Sequence, residues 1–388
     1  MEPANEAELA EAVALAAREG TPLEIWGGGT RRGLGRPVQA GRALSTAGLT
    51  GLTLYEPGAL TLVVRAGTPM AELEAALASE GQRLPFEPMD HRALLGTEGA
   101  PTIGGVVACA VSGPRRIQAG ACRDAMLGVR FVNGRGEVIR NGGRVMKNVT
   151  GYDLVKLLCG SYGTLGVVTE IAFKVLPVPE RQITLAIEGL DDARAVACLG
   201  AALATPFDVT GAAHLPADGG GAAQTLLRVE GMAAQAGYRA DALADRLSAF
   251  GSVSRVEAPE DAAHWAAVRD VTRFADRPGA VWRLSIRPSD APAVVAALAA
   301  ERDIDVQYDW GGGLVWLLTP EDGDAGAAQI RAEIARRGGH ATLVRASDAT
   351  RAAVEVFEPE PAELARLSAG LRGRFDPDGI LNPGRMRG

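Results

Sequence analysis

Residues 23–33 read Leu23-Glu24-Ile25-Trp26-Gly27-Gly28-Gly29-Thr30-Arg31-Arg32-Gly33, and the glycine triplet in their middle constrains the fold more than any other segment. The run Leu23 to Trp26 is expected to be a short strand, so the triplet stands at a strand's end. Glycine has no Cβ, and backbone N–H groups there can approach a ligand unhindered. Successive N–H groups in one turn make a concavity for an anion. Thr30 adds a hydroxyl donor. The same letters also fit a flexible turn. Two other glycine devices for nucleotides fail. A P-loop needs Gly-Lys-Ser/Thr, and none of the three lysines, Lys147, Lys156 and Lys174, follows a glycine. A Gly-x-Gly-x-x-Gly turn should open a helix after a strand, but Arg32 stands where the last glycine belongs and residues 34–37 are poor helix material.

Working outward, Asn5 is placed to cap a helix over 6–19 that Gly20 stops. Residues 52–55 and 61–64 read as strands joined by Glu56-Pro57-Gly58, and Thr68-Pro69 opens a helix over 69–80 ended by Gly81. Residues 85–120 are glycine-rich and weakly periodic, a loop with one short buried helix at 106–111. Inside it, Pro101-Thr102-Ile103-Gly104-Gly105 sets small and apolar residues where backbone can lie against a flat ring, and Ser112-Gly113 and Gly120 follow. Arg123-Asp124 precedes a hairpin, 127–132 with 137–140, turned by Asn133-Gly134. A helix over 152–159, a glycine loop from Gly160 to Gly166 and a β-branched strand over 167–175 complete the region. Three glycine-rich loops at strand edges can line one long cofactor.

Pro177 and Pro179 mark a boundary. Beyond it, strand-like runs (183–187, 225–229, 281–286, 314–318) alternate with Ala-rich helical runs (191–204, 234–250, 291–301, 325–337), the pattern of helices against one sheet. The expected divisions are 1–178, 179–345 and 346–388. Composition narrows the function. The 388 residues are 47% hydrophobic, enough for two or three domains, and the net charge of -7 with no basic stripe argues against nucleic acid. Cys109, Cys122, Cys159 and Cys198 are widely spaced, so neither an iron–sulfur cluster nor a zinc site on close-spaced cysteines is expected, and four reduced, mostly buried thiols are. The acidic first twenty residues do not read as a signal peptide, and no run approaches the length of a membrane span. A cytoplasmic protein is expected, with peripheral attachment at the inner membrane through partners left open.

The series Trp26 to Thr30, Thr102 to Gly105, Arg123-Asp124, Lys147-Asn148-Val149-Thr150-Gly151-Tyr152-Asp153-Leu154 and Gly160 to Gly166 resembles the FAD domain of the vanillyl-alcohol oxidase and p-cresol methylhydroxylase type. The closing Asp376-Pro377-Asp378-Gly379-Ile380-Leu381-Asn382-Pro383-Gly384-Arg385-Met386 matches the 2-hydroxyacid-oxidising branch. Leu84 to Pro88, Ser112-Gly113-Pro114-Arg115-Arg116, Val145 to Asn148, Trp282 to Ser285 and Asp309 to Gly312 narrow the likeness to the FAD-binding subunits of bacterial glycolate oxidase. The resemblance implies an α+β chain: a two-part FAD domain, and an α+β cap domain with an antiparallel sheet. It implies FAD held by Trp26, Gly27, Gly28, Gly29, Thr30, Arg31, Pro101, Thr102, Ile103, Gly104, Gly105, Ser112, Gly113, Asp124, Val168 and Asn382. Covalent-flavin members carry His in the first glycine loop; Thr30 stands there, so non-covalent FAD is expected.

Oxidation of a 2-hydroxy acid needs a cation for the carboxylate, a base for the hydroxyl and a flavin placed for hydride transfer. Arg283 and Arg287, four apart on an expected strand, would share a face and could grip a carboxylate, or form a solvated basic face. Arg115 is a further candidate in the glycine-rich stretch. Catalytic relatives carry a His-x-Gly-Asp-Gly-Asn metal and substrate motif that this chain lacks, and no metal site is expected. The resemblance therefore implies a glycolate-oxidising complex with a second FAD-containing subunit and an iron–sulfur subunit. A self-sufficient D-lactate or 2-hydroxyacid dehydrogenase and a non-catalytic scaffold are the alternatives.

Overall fold

The Asn5 side chain accepts a hydrogen bond from the Glu8 N–H (3.0 Å), and Gly20 closes the helix in the left-handed region at φ 62°, so α1 spans Glu6–Glu19. Its buried residues Leu9, Val13 and Ala16 recur every three or four positions. They pack against Leu23, Leu44, Val132, Val167, Ile380 and Leu381. The computed structural model describes residues 1–145, 151–218, 221–256 and 258–386. β1 (Leu23–Trp26) pairs in parallel with β2 (Arg42–Ser45). β3 (Leu52–Glu56), β4 (Thr61–Arg65), β5 (Met126–Val132), β6 (Val138–Gly142) and β7 (Val167–Lys174) form an antiparallel sheet in the order β3-β4-β7-β5-β6. α2 (Met70–Ser79) precedes the glycine-rich stretch. The helix expected at 106–111 lies instead at Ile103–Ala108 (α3), because the Thr102 hydroxyl accepts from the Gly105 N–H and starts it earlier.

Two compact units result. One comprises Met1–Ser112, Gly120–Val178 and Pro359–Gly388, and the other Gly113–Ala119 and Pro179–Glu358. The second unit thus runs past residue 345, where the sequence expectation divided the chain. Val356 is the reason: it sits fully buried in that unit's core, and its carbonyl accepts from the Leu343 N–H (2.8 Å).

The second unit is a tandem of one motif. β8 (Arg181–Glu188), α4 (Asp192–Leu203), β9 (Val209–Leu215), β10 (Gln224–Gly231), α5 (Ala233–Leu247) and β11 (Val253–Val256) make a split βαβ half. After α6 (Glu260–Asp270), the same order returns in β12 (Ala280–Ile286), α7 (Ala291–Ala299), β13 (Asp305–Asp309), β14 (Leu314–Thr319), α8 (Ala327–Arg337) and β15 (Gly339–Arg345). The eight strands form one antiparallel sheet, β11-β8-β10-β9-β13-β14-β12-β15. The halves join along β9 and β13, where the register holds a single pair, His214 opposite Tyr308. Each half has its own main core, and Val196 of α4 reaches into that of the second half. The last helix, α9 (Ala362–Phe375), belongs to the first unit.

Candidate cofactor site

The first two glycine motifs are built against each other. A Cβ on Gly28 would lie 1.7 Å from the Ala100 carbonyl oxygen, and one on Gly27 would lie 2.3 Å from the Thr102 hydroxyl. Only glycine lets the segments approach this closely. Gly104 is similarly tight, its Cβ position 2.7 Å from the Ala66 carbonyl. Gly29 turns the chain at φ 77°.

Between these segments lies a pocket partly open to solvent. Of the residues named from the sequence, Trp26, Gly27, Gly28, Gly29, Thr30, Arg31, Thr102, Gly104, Gly105, Val168 and Asn382 line it. Thr46, Cys109, Tyr162 and Arg385, with no role expected from the sequence, line it too, as does Ala108. Their signal was weak: Tyr162 and Arg385 stood inside quoted motifs without a role, and Thr46 sits just past a strand that the periodicity missed.

The wall carries unspent donors. Among the described residues, no acceptor meets the backbone N–H groups of Gly27, Gly28, Gly29 or Thr30. The Arg31 Nε and the Trp26 Nε1 are buried without a hydrogen-bond partner. Arg31 donates from Nη2 to the Met89 carbonyl (3.0 Å). Burial holds its guanidinium below the ordinary arginine value, while Cys109, Asp90 and Cys122 pull the other way. Buried donors normally find partners, so a cluster of idle ones beside a guanidinium fits an anion with several oxygens.

The C-terminal tail closes the site. The Leu23 N–H donates to Ile380 (2.7 Å) and the Asn382 N–H to Leu23 (2.9 Å), which brings the tail alongside β1. The Asn382 side chain accepts from the Ile25 N–H (2.8 Å) and donates to the Tyr162 carbonyl (2.8 Å). Arg385 donates to the carbonyls of Arg32 (2.9 Å) and Leu34 (3.0 Å).

Five expected cofactor residues do not reach the cavity. The Pro101 carbonyl accepts from the Met70 N–H (2.7 Å), and Ile103 is fully buried. The Ser112 hydroxyl accepts from the Cys122 N–H (3.0 Å). Gly113 belongs to the second unit and accepts from the Trp310 indole (3.1 Å). The Asp124 carboxylate accepts from the Ala121 N–H (2.9 Å), closing a short turn of helix. The quoted segment Met146 to Thr150 lies outside the described residues.

All three arginine candidates belong to the second unit. Arg115 is held by the Glu230 carboxylate (2.9 and 3.0 Å) and by Gln182, the geometry of a structural ion pair. Arg283 lies on β12, 5.7 Å from the Trp310 ring centroid. β12 ends at Ile286, so Arg287 does not share a strand face with it; 70% exposed, it faces Asp290 at 3.6 Å. His214 is wholly buried against Thr225 and Asp192.

Antiparallel and parallel sheets meeting at a glycine-walled, donor-rich cavity define the class. A family profile described as FAD binding domain matches residues 1–142. Alkyldihydroxyacetonephosphate synthase has the same fold, with a TM-score of 0.71 at 16% identity, over 99% of this chain and 76% of that one. At 32% identity, the glycolate oxidase subunit GlcD of Bacillus subtilis matches 47% of this chain and 38% of its own length. The glycolate oxidase subunit GlcE of Escherichia coli is 37% identical over 97% of this chain and 96% of its own. The chain belongs to the GlcE family of FAD-linked oxidoreductases.

Proposed function

We propose that the chain is the FAD-binding subunit of a glycolate oxidase complex that converts glycolate to glyoxylate and hands electrons to a partner. The observation that carries this reading is the cavity wall of idle amides at Gly27–Thr30 beside the Arg31 guanidinium. Those amides would hold the pyrophosphate of FAD and Arg31 would offset its charge. Thr102, Gly104, Gly105 and Val168 would flank the rest of the cofactor, and Asn382 would fix the wall opposite. Bound FAD supplies a two-electron acceptor for the substrate hydrogen. Thr30 offers no imidazole for attachment, so the cofactor is held non-covalently. A second flavin subunit and an iron–sulfur subunit complete the electron path. Among the described residues no helix is long and apolar enough to cross a membrane. Attachment at the inner membrane would then come through those subunits.

The test is a flavin spectrum and a dye-reduction assay. The purified chain should be yellow and release FAD on acid precipitation, and glycolate should reduce a dye acceptor only after co-expression with the partner subunits. A colourless chain, or full turnover of D-lactate by the chain alone, overturns the reading.

A further inference from the structure

Three of the four cysteines, distant in sequence, gather in the first unit. Cys109 lines the cavity just past α3. Cys122 begins the short helix Cys122–Ala125 and is fully buried. Cys159 follows the helix Leu154–Leu158 and is partly exposed. The helix Cys122–Ala125 packs against Leu154–Leu158, which sets the Cys122 and Cys159 thiols close enough to interact. Arg123 and Lys156 flank Cys159, and Lys156 is anchored there by donating to the Arg123 carbonyl (2.8 Å).

The two sulfurs are not equivalent. Burial pushes the Cys122 thiol well up, and Cys159 and Asp124 add to that. Cys159 is held below the usual thiol value by the Cys122 thiol and by Arg123 and Lys156, against burial and Asp124. Cys109 is pushed up to about 11 by burial. Cys198, in the other unit's core, is pushed up to about 11 by the same cause. A partly exposed cysteine beside two cations, within reach of a buried second thiol, is the arrangement of an oxidisable pair.

We propose that Cys159 and Cys122 are a modification site for hydroperoxides, closing to a reversible disulfide. The Cys159 thiolate attacks a peroxide oxygen and the O–O bond breaks. With hydrogen peroxide, a sulfenic acid forms on Cys159 and one water leaves after protonation. The Cys122 sulfur then displaces the hydroxyl from Cys159, and its own proton departs with that oxygen as a second water. Two thiols lose two electrons in all, and the peroxide takes both. The bond would tether the cavity wall. The Gly160 N–H donates to Val107 (3.0 Å) and the Tyr162 N–H to Ala108 (2.8 Å), and Tyr162 and Gly163 line the cavity. This inference stands apart from the FAD reading, because none of its groups needs the cofactor.

The experiment treats the reduced full-length protein, as purified with whatever flavin it carries, with hydrogen peroxide. Alkylation under denaturing conditions and peptide mapping follow. Two of the four thiols should disappear, with one linked peptide pair joining Cys122 to Cys159, and dithiothreitol should restore both. Cys122→Ser should leave Cys159 trapped as a sulfenic acid by dimedone, and Cys159→Ser should leave Cys122 and Cys109 reduced at the same dose. Any other linkage, equal loss of all four thiols, or no loss at a dose that oxidises glutathione in the same tube overturns the proposal. The wild-type map decides this even if a variant fails to fold.

Discussion

At the scale of single residues, Arg31 and Gly28 separate binding from folding. Arg31 places a guanidinium with an idle, buried Nε in the cavity wall. An under-paired buried charge destabilises a protein that lacks its ligand. Arg31→Met is therefore expected to leave the melting temperature of the flavin-free protein unchanged or raised. Flavin affinity should fall about tenfold or more, each factor of ten being about 1.4 kcal/mol. Melting with and without FAD, together with a fluorescence titration, checks both halves; unchanged affinity would remove Arg31 from the site. Gly28→Ala acts differently. Its new methyl would meet the Ala100 carbonyl oxygen at 1.7 Å, and backbone cannot give way cheaply. Overpacking of this kind costs about 1–3 kcal/mol. Both melting temperature and flavin content should drop, whereas Gly58→Ala, with nothing within 4 Å of the added carbon, should be silent in both measurements.

At the scale of elements, the weak place is the seam between the two halves of the eight-stranded sheet. One registered pair joins β9 to β13, and side chains reinforce it. The Tyr308 hydroxyl donates to Asp192 (2.5 Å), His214 Nε2 lies 3.4 Å from the same carboxylate, and His214 Nδ1 meets Thr225 at 3.0 Å. Burial alone would push the Asp192 carboxyl up; the neighbouring His214 and the Tyr308 hydrogen bond outweigh it and hold the group below its usual range. Asp305 is lowered in the same sense, by Arg277 and Arg273 against burial. A carboxyl lowered on folding contributes stability that is present above its unfolded value near 4 and is lost as pH falls through the folded value. Asp376, raised mainly by its burial, works in the opposite sense. The melting temperature should be flat from about pH 7 to 5 and fall below about pH 4. Tyr308→Phe should lower it at pH 7 by the equivalent of about 1–3 kcal/mol and flatten the acid limb. An unchanged acid limb would show that Asp192 does not stabilise the seam. The seam strands are also where the sequence was least legible. Val209 to Leu215 reads Val-Thr-Gly-Ala-Ala-His-Leu and is buried on both faces but for its last residue, so it shows no alternation. β13 carries Asp305 and Gln307, polar residues held by the distant Arg273 and Val268, and Asp309, whose carboxylate accepts from the adjacent Trp310 N–H. β8, β12 and β14 were legible because apolar and β-branched side chains dominate them.

At the scale of the whole molecule, the first unit is assembled from three stretches of chain, and its site needs both ends. The glycine motifs were legible because close backbone approach admits one residue type. The rest of the wall was not, since Asn382 reaches Ile25 across 357 positions and no local pattern encodes that closure. The tail is thus the strictest test of the architecture. Truncation after Phe375 removes Ile380 and Leu381 from the α1 core, where each buried aliphatic side chain is worth about 1.5–3 kcal/mol. It also strips the Ile25 N–H and the Tyr162 carbonyl of their partner, at about 1–3 kcal/mol apiece. The sum is comparable with the about 5–15 kcal/mol that holds a typical domain together. The truncated chain should lose its flavin and become open to proteolysis around β1 and β2, while Pro179–Glu358, with cores of its own, resists digestion. Asn382→Ala removes the bridge but keeps Ile380 and Leu381 in place. It should retain folding and lose flavin, and limited proteolysis with flavin quantification distinguishes the two variants. If the truncated chain keeps both its flavin and its resistance at β1, the tail does not build the site.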